Sequence, residues 1–121
     1  MARRVMTVDD SKTMRDMVAY TLGRAGFEVV TAEDGRQALT ILAGSTADMV
    51  ITDLNMPVMD GVALIRALRA DAKFRAIPIL MLTTESDASK KNVGREAGAT
   101  GWIVKPFNPE KLVDIVNRLC G

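Results

Sequence analysis

The sequence predicts a single α/β domain over residues 1–121, a doubly wound parallel sheet of five strands with helices on both faces in three α/β/α layers. Short apolar runs alternate with longer stretches of helical period, which is typical of βα units. The apolar runs are nearly continuous, as in strands that are buried on both faces. Five such units in 121 residues are too short for an eight-stranded barrel, which needs about 250.

The five predicted strands share β-branched or other large apolar side chains and end close to a polar residue. They are Val5 to Val8, Phe27 to Thr31, Met49 to Asp53, Ile77 to Thr83 and Gly101 to Lys105.

Four of the five predicted helices carry an apolar stripe at helical spacing. Gly26 and Gly44 stand where the first two helices should end. The last helix should begin at Pro109, with Asn108 as its N-cap. The stripes comprise Met14, Met17, Val18, Thr21 and Leu22; Ala38, Leu39 and Leu42; Leu64, Ile65 and Leu68; and Leu112, Val113, Val116 and Leu119.

The fourth helical stretch, residues 87–97, differs from the others because it is polar and contains Gly94. Only Val93 and Ala97 are available to face a core. We therefore expect a helix that is weakly attached to the sheet. Its basic residues, Lys90, Lys91 and Arg95, are either a solvated helix face or a docking surface for an acidic peptide.

Composition excludes several classes of protein. Hydrophobic residues make up 48% and charged residues 26%, as in ordinary globular domains. The net charge of +1 gives no excess for binding nucleic acid. No apolar run approaches the roughly 20 residues of a membrane span, and the N-terminus lacks the apolar core of a signal peptide. The sequence thus predicts a cytoplasmic protein without a membrane or nucleic-acid partner.

Two residue counts restrict the chemistry. There is no histidine, which excludes Ser-His and Cys-His nucleophilic sites and the common zinc sites. Cys120 is the only cysteine, so an internal disulfide cannot form. What remains is chemistry on carboxylates, hydroxyls, lysines and hard cations, which favours magnesium and phosphate.

The polar residues that follow the predicted strands form a candidate site. Ligands of open α/β sheets bind at the carboxyl ends of the strands. In the strand order 2-1-3-4-5, which is taken from known doubly wound sheets, the first and third strands are neighbours, so Asp9, Asp10 and Asp53 should converge. Three close carboxylates repel one another unless a cation joins them, and Mg²⁺ suits such oxygens. With Thr83 and Lys105 nearby, Asp53 could accept a phosphoryl group as a nucleophile.

Each of these residues also has a simpler interpretation. Asp9 and Asp10 could cap the first helix, and Thr83 with Thr84 could cap the fourth. Lys105 could be a surface lysine with a buried stem, and Trp102 could simply fill the core. Met56 and Met59, in the loop after Asp53, are expected to be partly exposed.

Taken together, the motifs resemble the receiver domains of two-component response regulators over essentially the whole chain. The resemblance is carried by Asp9-Asp10, by Asp53 in TDLNMPVMDG, by Thr83 in LMLTTES and by Lys105-Pro106-Phe107. It is closest to the free-standing chemotaxis regulators, since no output domain follows. It implies a flavodoxin-like (CheY-like) fold with strand order 2-1-3-4-5, for which this family is itself a standard example.

The resemblance also implies residue roles. Asp53 would take phosphate from a phosphohistidine on a kinase, and Mg²⁺ would be held by Asp10, Asp53 and the backbone carbonyl of Asn55, with Asp9 acting through water. Lys105 would pair with Asp53 and then with the phosphoryl group, and Thr83 would move toward that group.

Further implications concern the switch and its partners. Trp102 would be the switch aromatic, where tyrosine or phenylalanine is commoner, and the bond between Lys105 and Pro106 would be cis. Partners would be a chemotaxis-type histidine kinase, the flagellar motor switch protein or another target, and possibly a phosphatase. The chain would act as a monomer and a signalling protein rather than an enzyme.

Three other functions remain open. The domain could be a phosphate sink that controls no motor. A magnesium-dependent aspartyl-phosphate phosphatase usually has an acidic residue two positions after its nucleophile, where this chain has Asn55. A flavin carrier would not place the acidic Asp9-Asp10-Ser11 loop at the phosphate.

Overall fold

The computed structural model describes residues 3–84 and 88–120, and of residues 88–90 the backbone alone. Within these ranges strands and helices alternate strictly. The strands are β1 (Arg4–Val8), β2 (Glu28–Ala32), β3 (Met49–Thr52), β4 (Ile79–Thr83) and β5 (Gly101–Val104). The helices are α1 (Lys12–Arg24), α2 (Gly35–Ala43), α3 (Gly61–Ala70), α4 (Ala88–Ala97) and α5 (Pro109–Cys120).

All strand pairs are parallel, and the sheet order is β2-β1-β3-β4-β5, which confirms the expected fold. The register aligns the carboxyl ends of the strands: Val8 is paired with both Ala32 and Thr52. Polar residues that follow β1 and β3 therefore start from adjacent positions on one edge. No helix in the described ranges has the length and apolar character required to cross a membrane.

The apolar strand runs are explained by a core on each side of the sheet, because alternate side chains point to opposite faces. One core contains Val50 and Met81 and is covered by α2, α3 and the end of α4. The other contains Ile51 and Leu80 and is covered by α1 and α5. The predicted buried stripes of α2, α3 and α5 are confirmed.

The helices begin at side-chain caps. Ser11 Oγ accepts from the Met14 amide at 3.2 Å, so Ser11 caps α1 and the interpretation of Asp9 and Asp10 as its cap is wrong. Asn108 Oδ1 accepts from the Glu110 amide at 2.9 Å, as predicted. The caps of α2 and α3, Asp34 and Asp60, were not anticipated.

Two expected core residues are exposed. Met17 of α1 is 45% exposed and Val93 of α4 is 41% exposed. In α4 the buried position next to Val93 is Gly94, where an added Cβ would overlap Met81 Sδ. The helix therefore approaches the sheet through its backbone, because a glycine leaves room for the large methionine side chain.

Arg69 of α3 braces the far end of α4. Its Nε donates to the Gly98 carbonyl at 2.9 Å, and its Nη1 donates to the Ile77 carbonyl at 2.6 Å. Gly98 has φ +118°, a conformation that a side chain would strain, and a Cβ there would lie 2.6 Å from Arg69 Cγ. One guanidinium thus joins the loop before β4 to the loop before β5.

Candidate functional site

Three aspartates converge at the carboxyl edge of the sheet, as the sequence predicts. Asp9 and Asp10 follow β1, Asp53 follows β3, and one carboxylate oxygen from each lies within 4.8 Å of the others. Asp9 and Asp53 are buried, whereas Asp10 is exposed. The cluster is therefore open to solvent on the Asp10 side.

Asp9 is held by hydrogen bonds at both carboxylate oxygens and at its backbone amide. Its N–H donates to the Ala32 carbonyl at 3.1 Å. Its Oδ1 accepts from the Ser11 amide at 2.9 Å, and its Oδ2 accepts from Lys105 Nζ at 2.7 Å. These hydrogen bonds fix the orientation of the buried carboxylate.

Asp53 is fixed by the main chain around it. Its N–H donates to the Val8 carbonyl at 2.9 Å, and its Oδ1 accepts from the Leu54 amide at 2.8 Å. The loop folds back so closely that a Cβ on Gly61 would overlap the Asp53 carbonyl oxygen, so that position requires glycine. These contacts leave Oδ2 directed toward Lys105, whose Nζ lies 3.6 Å away.

Opposing effects act on the pKa of Asp53. Burial is the largest and raises the pKa above the ordinary 3.8, and the nearby charge of Asp9 raises it further. Lys105 and the amides of Leu54 and Asn55 lower the pKa, but burial dominates. Without an additional cation, the charged form of this carboxylate is therefore less favourable in the pocket than in water.

Lys105 is not the surface lysine of the simpler interpretation. Its side chain is only 10% exposed, and its amide donates to the Thr83 carbonyl at 2.7 Å, so β4 positions the residue after β5. The peptide bond from Lys105 to Pro106 is cis, the isomer that the resemblance implies. The resemblance also implies pairing with Asp53, but the shorter of the two contacts is to Asp9.

Thr83 and Trp102 lie on neighbouring strands. Thr83, at the end of β4, is 1% exposed. Trp102 of β5 is half-buried against the core that contains Val50. Lys91 Nζ and Arg95 Cζ lie 5.0 and 5.1 Å from its ring centroid, so it is both a core contact and part of a basic surface. Lys90, the third predicted docking residue, is described only in its backbone.

The loop after Asp53 is only partly as expected. Asn55 is exposed and Met59 is half-buried, whereas Met56 is buried at 9% exposure, so the expectation for Met56 is wrong. Val58 is 77% exposed and has φ 68°. A β-branched residue is strained in that left-handed conformation.

Arg15 of α1 is a site residue that the sequence reasoning missed. Its Nη1 donates to the Asp9 carbonyl at 2.8 Å, and its side chain is only 12% exposed. The sequence shows it merely as a charge between two apolar stripe positions, Met14 and Val18, which is the ordinary pattern of a solvated helix face. No spacing rule separates it from such residues.

The donor set fits a small, hard divalent cation. Carboxylates are the preferred ligands of Mg²⁺, and three are available here, one of them exposed where waters could complete the shell. A cation would also offset the burial and the neighbouring Asp9 charge, which raise the pKa of Asp53. Lys105, on the Asp9 side, supplies a second positive charge for an incoming anion.

Comparisons with known proteins agree with this geometry. The family described as response regulator receiver domain matches residues 5–117. The chain is 40% identical to the chemotaxis protein CheY1 of Helicobacter pylori over 98% of this chain and 97% of that protein. It is 39% identical to the DNA-binding response regulator MtrA of Mycobacterium leprae, covering 93% of this chain and 49% of the larger protein.

A solved structure extends the likeness. The chemotaxis response regulator CheY4 of Vibrio cholerae superimposes with a TM-score of 0.93 at 48% identity, over 98% of this chain and 99% of that one. Fold and sequence thus indicate the same family. The chain belongs to the response regulator receiver domain family, among its CheY-like members.

Proposed function

We propose that this chain is a phosphorylation switch in which Asp53 accepts a phosphoryl group from the phosphohistidine of a partner kinase. An oxygen of Asp53 attacks phosphorus while the P–N bond breaks. The electron pair of that bond goes to the imidazole ring, which takes up a proton. The observation that carries the proposal is the buried Asp53 carboxylate, fixed at Oδ1 by Leu54 and facing Lys105 at Oδ2.

Asp10, Asp53 and the backbone carbonyl of Asn55 would hold Mg²⁺, with Asp9 acting through water. The bound ion supplies positive charge against the phosphoryl oxygens. The Lys105 ammonium does the same from the other side, because its Nζ already lies between Asp9 and Asp53. The Thr83 hydroxyl, at the end of the adjacent strand, would donate to a phosphoryl oxygen.

The output would be the surface that β5, α4 and α5 form around Trp102. Movement of Thr83 toward the phosphoryl group would draw Trp102 inward and shift Lys91 and Arg95, which lie over its ring. A cationic surface of this kind fits an acidic segment of a partner. We propose a chemotaxis-type kinase as donor, the flagellar motor switch protein as target and a phosphatase as a further partner, because CheY1 and CheY4, two relatives matched over nearly their whole length, are chemotaxis proteins.

We also propose that the chain acts as a cytoplasmic monomer and turns over no external substrate. Position 55, two residues after Asp53, is an exposed asparagine, which cannot supply a proton to a leaving group as a general acid does. Release of phosphate from an ordinary phosphomonoester would contradict this part of the proposal.

The phosphoacceptor role is tested by incubating the protein with a small acyl phosphate and Mg²⁺, and following intact mass and Trp102 fluorescence. We expect one phosphoryl adduct, absent without Mg²⁺ and absent in Asp53→Asn. A fluorescence change that accompanies the adduct would support the role of Trp102. An adduct that persists in Asp53→Asn would place the acceptor elsewhere and reject the proposal.

A binding measurement distinguishes a messenger, which signals to a target, from a phosphate sink, which controls none. The affinity of a motor-switch protein for the chain is compared with and without phosphorylation, in wild type and in Lys91→Glu/Arg95→Glu. A messenger should bind more tightly when phosphorylated and lose binding in the charge-reversal variant. A sink would be phosphorylated normally with no change in affinity.

A further inference from the structure

Within residues 3–84 and 88–120, Arg15 makes one strong contact. Its Nη2 lies 3.8 Å from Glu33 Oε1, but the Glu33 side chain is 65% exposed, and such pairs contribute little. The 2.8 Å hydrogen bond from Nη1 to the Asp9 carbonyl is the interaction that the nearly buried side chain makes well. Its planar guanidinium makes such directed bonds in a fixed orientation, unlike a lysine ammonium.

The Asp9 carbonyl lies just beyond the paired part of β1, since Val8 is the last residue of that strand. It belongs to the peptide unit that links Asp9 to Asp10. Because the peptide unit is planar, fixing its oxygen also fixes the direction in which the chain enters Asp10.

Asp10 depends on this main-chain constraint. In the described part of the chain, its carboxylate has no hydrogen bond or ion pair, whereas Asp9 is bonded to Ser11 and Lys105. Its oxygen nevertheless lies within 4.8 Å of oxygens of Asp9 and Asp53. The placement of Asp10 must therefore come from its backbone.

We propose that Arg15 is a positioning residue for the acidic pocket: through the Asp9 carbonyl it holds the Asp9–Asp10 peptide so that the Asp10 carboxylate faces Asp53 at a distance that one divalent cation can span. This inference rests on the proposed function, since the cation is the Mg²⁺ that phosphoryl acceptance uses. Arg15 touches neither the cation nor the phosphoryl group.

The test measures Mg²⁺ binding to the unphosphorylated protein by calorimetry at constant ionic strength. The variants are Arg15→Gln, Arg15→Lys and, as a matched control on the same helix, Arg24→Gln, whose guanidinium interacts, among the residues that the structure describes, with the exposed Tyr20 alone. Glu33→Gln removes the weak ion pair but leaves the bond to Asp9. Unfolding midpoints without Mg²⁺ establish that each variant is folded.

We expect Arg15→Gln to weaken Mg²⁺ binding about tenfold, the typical effect of one lost hydrogen bond to a charged group. Arg15→Lys should recover part of the affinity, and Arg24→Gln and Glu33→Gln should bind as wild type. With a small acyl phosphate, Arg15→Gln should need more Mg²⁺ for half-maximal phosphorylation and reach nearly the wild-type rate at saturation.

The outcomes are distinguishable. Wild-type Mg²⁺ affinity in Arg15→Gln, or an equal loss in Arg24→Gln, would overturn the inference and leave the proposed function intact. A lower phosphorylation rate at saturating Mg²⁺ with unchanged affinity would also overturn it, because it would assign Arg15 to the chemical step. A wild-type protein that binds no Mg²⁺ would overturn both proposals.

Discussion

Lys105 donates its short hydrogen bond to Asp9, at 2.7 Å from Oδ2, and not to the neighbouring Asp53. The two side chains are 10% and 2% exposed, so this is a buried ion pair that joins the end of β5 to the end of β1 across the sheet edge. Asp53 lies farther from the same ammonium, with 3.6 Å between its Oδ2 and Lys105 Nζ. The resting pocket is therefore stabilised around Asp9, while the acceptor remains available.

We expect Lys105→Met to lower the free energy of unfolding by about 3 kcal/mol, because it strands the buried Asp9 charge beside Asp53. Urea denaturation at neutral pH without Mg²⁺ measures the loss. The control is Lys105→Met in an Asp9→Asn background, where no charge is stranded and the loss should be much smaller. Equal losses in both backgrounds would show that packing of the lysine stem, rather than the ion pair, matters.

Asp53→Asn should be more stable than wild type at neutral pH without Mg²⁺. In the folded protein the pKa of Asp53 is raised above 3.8, chiefly by burial. Between the unfolded and the folded pKa the native state binds more protons than the unfolded state, so wild-type stability falls as pH rises through that window. The advantage of Asp53→Asn should therefore vanish below pH 3.8. Urea denaturation from acidic to neutral pH measures it, with the exposed Asp16→Asn as control.

Addition of Mg²⁺ should reverse that order of stability. Wild type should gain about 2.7 kcal/mol when the ion is present at 100 times its dissociation constant, because only the folded state assembles the site. Asp53→Asn has lost one carboxylate and should gain less at the same concentration. Thermal unfolding with Mg²⁺ and with an equal ionic strength of Na⁺ measures the difference, and equal gains would exclude Asp53 as a ligand.

Gly94→Ala should destabilise the protein by about 1 kcal/mol, although alanine favours helix formation. The new methyl group would overlap Met81, whose side chain is fully buried. Shortening the opposing residue in Gly94→Ala/Met81→Val should recover stability relative to Met81→Val alone. If Gly94→Ala is as stable as wild type, α4 has moved away from the sheet, and hydrogen exchange in α4 would reveal it.

Val58→Asn should stabilise the protein by about 1 kcal/mol, because asparagine tolerates the left-handed conformation that strains a β-branched side chain. Val58→Thr is the matched control: it keeps the branched shape and the strain while adding a polar atom, so it should give no gain. The midpoint of urea unfolding at unchanged slope is the measurement. A gain with threonine would mean that loss of exposed apolar surface, not strain, is responsible.

Much of the fold could be predicted from the sequence, because strands buried on both faces are apolar throughout and helices carry a stripe. The errors are local. Met17 and Val93 have the spacing and side-chain type of core residues, but each helix is oriented about its axis so that they are exposed. A hydrophobic pattern does not specify that orientation. Gly94 marks the contact instead, since a missing side chain can be as important for packing as a large one.

The candidate site likewise contains residues that could be predicted from the sequence and residues that could not. Residues directly after strands were predictable, since the sheet places Asp9, Asp53 and Lys105 at one edge. Arg15 was not, because it reaches the site from within a helix and acts on a carbonyl, a group that every residue has. The sequence also could not show that Lys105 is closer to Asp9 than to Asp53, since its distances to the two carboxylates differ by only about one ångström.

The hydrogen bond from Arg69 to Gly98 anchors one end of α4, so a tilt of the helix would displace mainly its other end. The guanidinium holds the Gly98 end of the helix, and at Gly94 the helix packs against Met81 without a side chain of its own. Ten residues of α-helix span roughly 15 Å, so a tilt of roughly 10° about the braced end displaces the opposite end by roughly 2–3 Å. We expect a repacking near Thr83 to displace the helix least at the end that Arg69 holds and most at the opposite end.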